Sequence, residues 1–144
     1  FPYTTLFRSN QYSEYNTTDI SQFEQEDWFK SSPPVCVEVP TTTIDLITEK
    51  YKLSPKIIKI DVEGAEYLVM QGATKFLSQH KPILVMEYLE PARHNESHHQ
   101  ALKLLKSFGY NSFIIKSDGS LESIENIDLY LEQNRMESDN IVFS

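Results

Sequence analysis

A strand, a helix and a second strand follow one another between Lys56 and Tyr88, and that succession limits the fold more than any other feature of the chain. Lys56-Ile57-Ile58-Lys59-Ile60-Asp61 follows Pro55 and is β-branched, with apolar residues on both faces. Such a run suits a strand covered by helices on either side, and hence a parallel sheet. Ala65, Leu68, Val69, Gly72, Ala73, Phe76 and Leu77 then recur at the spacing of one helical face, which predicts a helix from Ala65 to His80. Pro82-Ile83-Leu84-Val85-Met86-Glu87-Tyr88 supplies the second strand. The unit closes within about 30 residues, so the two strands should lie parallel with a right-handed crossover.

The flanking segments fit an α/β chain. Val35 to Val39 is β-branched and bounded by prolines, a short strand, and Thr43 is placed to cap a helix over Ile44 to Tyr51 with Asp45 in its first turn. Glu96 to Phe108 repeats the helical period, and Gly109 stands where a left-handed C-cap belongs. Tyr110 to Ile115 reads as a strand, Asp118-Gly119 as a turn, Leu121 to Arg135 as a mixed acidic stretch, and Asn140 to Phe143 as a closing strand. Ile58, Ile60, Leu68, Phe76, Leu84, Leu102, Leu105 and Phe108 are the expected core.

Composition excludes several classes of function. The 144 residues suffice for one domain with a sizeable core. Their 21 acids against 13 bases give a net charge of −8, which argues against nucleic-acid or anionic-membrane partners. Cys36 alone builds neither a disulfide framework nor a thiolate metal site, which points to a reducing, cytoplasmic setting. The longest uncharged apolar stretch, Pro82 to Met86, is far short of the roughly 20 residues that span a bilayer. The four glycines stand at 64, 72, 109 and 119, so no glycine-rich phosphate loop is present.

Phe1 to Ser9, FPYTTLFRS, reads back codon for codon as the end of a common short-read sequencing adapter. These nine residues are expected to be an artefact, with native sequence from about Asn10. Asn10 to Pro34 is a polar connecting segment with room for one helical turn, ended by Pro33-Pro34.

The chemistry concentrates in Lys59-Ile60-Asp61-Val62-Glu63-Gly64-Ala65-Glu66. In open α/β sheets ligands bind beyond the carboxyl ends of the strands, so Asp61 points to a site. An unpaired carboxylate at the end of a buried strand costs several kcal/mol unless a partner or ligand offsets it, which favours a functional Asp61. Glu63 and Glu66 can instead serve simply to complement the helix N-terminus. Glu87 ends the next strand and would stand beside Asp61 if the strands are neighbours. Paired carboxylates there suit proton abstraction from a hydroxyl, attraction of a cationic cofactor, or a divalent ion. His94, His98 and His99 lie in a polar loop and helix start, and a solvated face describes them better than a metal site; no metal ligand set is assigned. Nothing in the order of residues suggests a Ser-His-Asp triad or a nucleophile elbow.

The blocks Thr41-Thr42-Thr43-Ile44-Asp45-Leu46-Ile47, Ile57 to Glu66, Gln71-Gly72-Ala73 and Pro82 to Glu87, in that order and spacing, resemble the FkbM-type S-adenosylmethionine-dependent methyltransferases. Gly109-Tyr110 and Asn140 to Phe143 match the C-terminal pattern of that family, so residues 35–144 are similar to the C-terminal part of its domain. The resemblance implies a Rossmann-like methyltransferase sheet, mostly parallel with an antiparallel last strand. It also implies that the first three strands, which carry the glycine-rich cofactor loop, are missing here. The activity implied is methyl transfer from S-adenosylmethionine to a hydroxyl of a sugar, polyketide or other metabolite. Asp61, nearest the reacting centre, is then the leading catalytic candidate, with Glu63 and Glu87 beside it; Asp61 and Glu63 are the cofactor candidates, and Glu90, Arg93 and His94 in the following loop the acceptor candidates. Taken alone, the chain would be poorly stable and show no methyl transfer. Two other readings of the residues stay open: a non-catalytic Rossmann-like interaction module, and a divalent-metal-assisted transferase or hydrolase using Asp61, Glu63 and Glu87.

Overall fold

A computed structural model describes residues 3–8, 17, 20 and 27–144. The element order is β1 (Tyr3–Arg8), α1 (Asp27–Ser31), β2 (Val35–Pro40), α2 (Ile44–Tyr51), β3 (Ile57–Ile60), α3 (Glu66–Gln71), α4 (Thr74–His80) and β4 (Ile83–Leu89). A 3-10 turn at Pro91–Arg93 leads into α5 (Glu96–Ser107), followed by β5 (Ser112–Ile115), β6 (Leu121–Ile124), α6 (Ile127–Asn134) and β7 (Ser138–Phe143). Most of the connecting segment expected over Asn10 to Pro34 lies outside the described residues; α1 is its helical turn. Tyr3–Arg8 pairs antiparallel with Val35–Pro40 as a two-stranded sheet of its own.

The other five strands form one sheet in the order β3-β4-β7-β5-β6. β3 and β4 are parallel, as their joining through α3 and α4 requires, with Ile57 opposite Ile83 and Ile60 opposite Met86. The expectation of a mostly parallel sheet needs correction. β7 inserts between β4 and β5 and runs antiparallel to both, and β6 folds back on β5, so three of the four pairings are antiparallel. The physical reason is the tight turn at Asp118-Gly119, where Gly119 takes φ +81 and Asp118 accepts from the Ser120 amide, which makes β5 and β6 a hairpin. Among the described strands, β3 is an edge, and Ile57 at its start is 62 % exposed.

The helices form as their local chemistry requires, with one departure. Thr43 caps α2 by accepting the Leu46 amide at 3.1 Å, and Lys52 closes it in a left-handed conformation. The single helix expected from Ala65 to His80 is two, α3 and α4. Asp45, on α2, reaches across to accept the amides of Phe76 at 2.8 Å and Lys75 at 3.1 Å, satisfying donors at a fresh helix start. At the joint, a Cβ on Gly72 would lie 3.1 Å from the Thr43 side chain, so any larger residue would press on the cap of α2 and require it to give by a few tenths of an ångström.

The core gathers Ile60, Met70, Leu77, Leu84, Met86, Tyr88, Leu105, Leu131, Ile141 and Phe143, all buried. Each large side chain removed from water contributes about 1.5–3 kcal/mol. Of the core expected from sequence, Ile60, Phe76, Leu84 and Leu105 are buried, and Ile58, Leu102 and Phe108 are half-buried against them. Leu68 is 63 % exposed, because α3 turns its Glu66–Met70 face inward and Leu68, two residues from each, stands on the opposite side.

Candidate functional site

The site begins where β3 ends, beside the last residues of β4, which continues past Glu87 to Leu89. Ile60 pairs with Met86, so Asp61 and Glu87 are the next residues along two adjacent parallel strands and emerge at the same end of the sheet. The turn into α3 adds Glu63. One carboxylate oxygen from each of Asp61, Glu63 and Glu87 lies within 4.8 Å of the others, close enough to share a bound cation. The three catalytic candidates of the sequence therefore form one cluster.

Their surroundings differ. Asp61 is exposed and meets the Lys59 ammonium at 3.1 Å, an ion pair open to water and worth little by itself. Glu87 is half-buried, and its Oε1 accepts the Ser138 hydroxyl of β7 at 2.8 Å. Glu63 is half-buried in a left-handed conformation, φ +48, followed by Gly64 at φ +97. Its carbonyl accepts the Thr17 hydroxyl. Burial, chiefly, and then the charges of Glu87, Asp61 and Glu66 push the Glu63 carboxyl up from 4.5 to about 7, with Arg93 opposing. A carboxyl with that value exchanges its proton near neutrality, which suits a general base.

Behind the turn lies a buried polar layer that sequence reasoning did not find. Glu66 is 1 % exposed; its Oε1 accepts the Gly64 amide at 3.2 Å, and its Oε2 lies 3.4 Å from His98 Nε2 of α5. Burial lowers the proton affinity of His98, with Glu66 opposing and His99 adding to the effect, so the imidazole is favoured neutral. His99 stands between the Tyr88 hydroxyl, 3.3 Å from its Nδ1, and Asp128, 3.4 Å from its Nε2. The run that reads as solvated histidines thus splits, with His98 in the interior and His99 half-buried. The spacing of His98 and His99 on α5 beside Ala101 and Leu105 was the available signal, since it places His98 on the apolar face.

The acceptor candidates follow β4 at the same end of the sheet. Arg93 ends the 3-10 turn and is held by Glu137 at 2.9 Å, and the Glu90 amide donates to the Glu137 carbonyl at 2.8 Å. His94 is exposed, with φ +54. Among the clefts elsewhere are one of about 220 Å³ lined by Asp45, Glu49, Lys75 and His80 and one of about 560 Å³ lined by Lys106, Asn111, Ser123 and Glu125. Neither includes an acid of the cluster, and the carboxylate geometry is the better guide to reactivity because it sets two further acids beside Glu63, whose proton affinity is raised.

The model of the methyltransferase FkbM domain matches residues 2–112. The chain belongs to the FkbM methyltransferase family. Within the part matched to the FkbM domain lie β3, the Asp61-to-Glu66 turn, β4 with Glu87, and α5 with His98. β6, α6 and β7, the strand that carries Ser138, follow it. No curated protein and no solved structure matches the chain. Among the described residues no helix is long and apolar enough to cross a membrane.

Proposed function

We propose that the chain is a Rossmann-like, S-adenosylmethionine-dependent O-methyltransferase domain that acts on a hydroxyl of a sugar, polyketide or other small metabolite. The observation that carries this reading is the clustering of Asp61, Glu63 and Glu87 at the carboxyl ends of two adjacent parallel strands within an FkbM domain. Sites in open α/β sheets form at such strand ends.

When bound, S-adenosylmethionine supplies an electrophilic methyl group on a positively charged sulfur. Three carboxylates within 4.8 Å repel one another, and a monocation beside them relieves that repulsion, so the residues present fit such a group. Asp61 and Glu63 are the side chains assigned to it. Glu63 would take the proton of the acceptor hydroxyl as the oxygen–methyl bond forms and the methyl–sulfur bond breaks, leaving a neutral thioether, a role that its proton affinity near neutrality favours. Glu87, fixed by Ser138, keeps the local charge negative and so helps hold the Glu63 proton affinity where a base is effective. Glu90, Arg93 and His94, at the same sheet end, are placed to bind a polyol, with Arg93 pre-oriented by Glu137. Positioning of the two reactants supplies much of the remaining rate.

The test is transfer of a labelled methyl group from S-adenosylmethionine to a panel of hydroxyl acceptors. It is read in a family member that carries the same Ile-Asp-Val-Glu-Gly block, as wild type and with the counterpart of Glu63→Gln, because this chain taken alone is expected to show no transfer. Loss of a general base lowers turnover about 10²–10⁴-fold. Unchanged turnover in the glutamine variant removes Glu63 from the reaction.

A further inference from the structure

The turn that presents Glu63 is an unfavourable piece of backbone. Glu63 at φ +48 and Gly64 at φ +97 are consecutive residues with positive φ, and for a residue with a Cβ that conformation is sterically costly. Something must hold it. The Thr17 hydroxyl reaches the Glu63 carbonyl from one side. From the other, Glu66 Oε1 accepts the Gly64 amide at 3.2 Å. α3 has no side-chain cap of its own at Ala65, and the Tyr67 amide is satisfied instead by Ser97 Oγ of α5 at 3.1 Å. The Glu66 carboxylate is therefore free to turn back on the loop rather than cap its own helix.

A carboxylate 1 % exposed is an expensive choice for that task unless its second oxygen is also served. His98 Nε2, 3.4 Å away on α5 and equally buried, is the group that faces it. Tyr88 packs edge-on against the His98 ring, with centroids 5.5 Å apart, and fixes its plane.

We infer that Glu66, backed by His98, is a positioning residue: its buried carboxylate clasps the Gly64 amide and so fixes the left-handed turn that carries the Glu63 side chain to Asp61 and Glu87. Glu66 makes no hydrogen bond to either of those acids and positions Glu63 beside them through the turn. Its weight in catalysis rests on the proposed role of Glu63, whereas its hold on the turn is read without turnover, so the two fail separately.

The experiment is heteronuclear NMR on the full 144-residue chain, wild type beside Glu66→Ala and Glu66→Gln. Losing a hydrogen bond to a charged acceptor should speed hydrogen exchange at the Gly64 amide by about tenfold or more in the alanine variant, with the amides of β4 unmoved. Glutamine keeps an acceptor oxygen at the same reach and should restore most of the protection. Exchange at Gly64 that is unchanged in Glu66→Ala, or equally fast in both variants, overturns the inference. Should the alanine variant not fold, the wild type decides alone: a scalar coupling across the hydrogen bond between the Gly64 amide nitrogen and the Glu66 carboxyl carbon supports it, and the absence of that coupling overturns it.

Discussion

Glu66 Oε2 and His98 Nε2 lie 3.4 Å apart with both side chains 2 % exposed, so a carboxylate from α3 and an imidazole from α5 meet in the interior directly behind the acidic turn. Neither has water to fall back on. His98 is the group that faces Glu66 Oε2, which has no hydrogen bond of its own among the described residues, so removing it strips a buried polar atom of its neighbour at a cost of about 1–3 kcal/mol. His98→Leu should therefore lower the free energy of unfolding by about 1–3 kcal/mol, read as a shift of the urea midpoint. Pairing it with Glu66→Met should cost less than His98→Leu alone; a double variant as unstable as the sum of the singles contradicts the coupling.

Stability should also depend on pH through Glu63. Its carboxyl is raised from 4.5 in the unfolded chain to about 7 in the fold, so between those values the folded state holds the extra proton and stability falls as pH rises. The gap sets a ceiling of about 3 kcal/mol, which water at a half-buried group reduces to about 1–2 kcal/mol. His98 acts in the opposite sense: its lowered proton affinity removes stability as pH falls below the ordinary histidine value of 6.5. Glu63→Gln isolates the first effect. Its stability relative to wild type should improve by about 1–2 kcal/mol between pH 4.5 and pH 8, and a difference that stays flat would mean that Glu63 titrates normally.

The Asp45 carboxylate caps a helix to which it is not attached, accepting two amides of α4 from α2. Asp45→Ala should destabilise the chain by about 1–2 kcal/mol, the usual cost of a lost N-cap, and thermal unfolding checks it. Asp45→Asn, which keeps one acceptor oxygen, should recover part of the loss.

That contact also explains where sequence reading stops. The helix at Ile44–Tyr51 with Thr43 as its cap, the strand end at Asp61 and the left-handed Gly109 are local chemistry, and they stand in the structure as the residues suggest. The strand of Glu87 instead runs two residues further, to Leu89, because β7 pairs with it there. The break at Gly72 is not local, because the acceptor that creates a new helix start comes from 30 residues away. β6 and α6 were lost in a stretch read only as mixed and acidic, where polar Glu122, Ser123 and Asp128 mask the strand and the Asn126-capped helix. Of the candidate site, the three clustered acids were legible from the strand ends. Glu66 was not, since an acid in a first helical turn ordinarily faces water, and Ser138 was not, since its role depends on β7 inserting beside β4.

Glu66 bears on Glu63 by charge as well as through the turn. Taking away that negative charge with Glu66→Gln should lower the pH at which Glu63 titrates, because one of the four influences raising it is removed. A midpoint that rises instead would mean that the turn has moved Glu63 deeper into the interior.

The most direct test of the acidic centre is the titration of the Glu63 carboxyl itself, followed by the ¹³C shift of its side-chain carboxyl carbon in the folded chain. A midpoint near 7 is expected, as burial and the neighbouring carboxylates of Glu87 and Asp61 require, and it would leave Glu63 poised to accept a hydroxyl proton at neutral pH. A midpoint near the ordinary 4.5 would contradict the account, since it would mean that the three acids do not act on one another and that Glu63 holds no proton to exchange where the reaction runs.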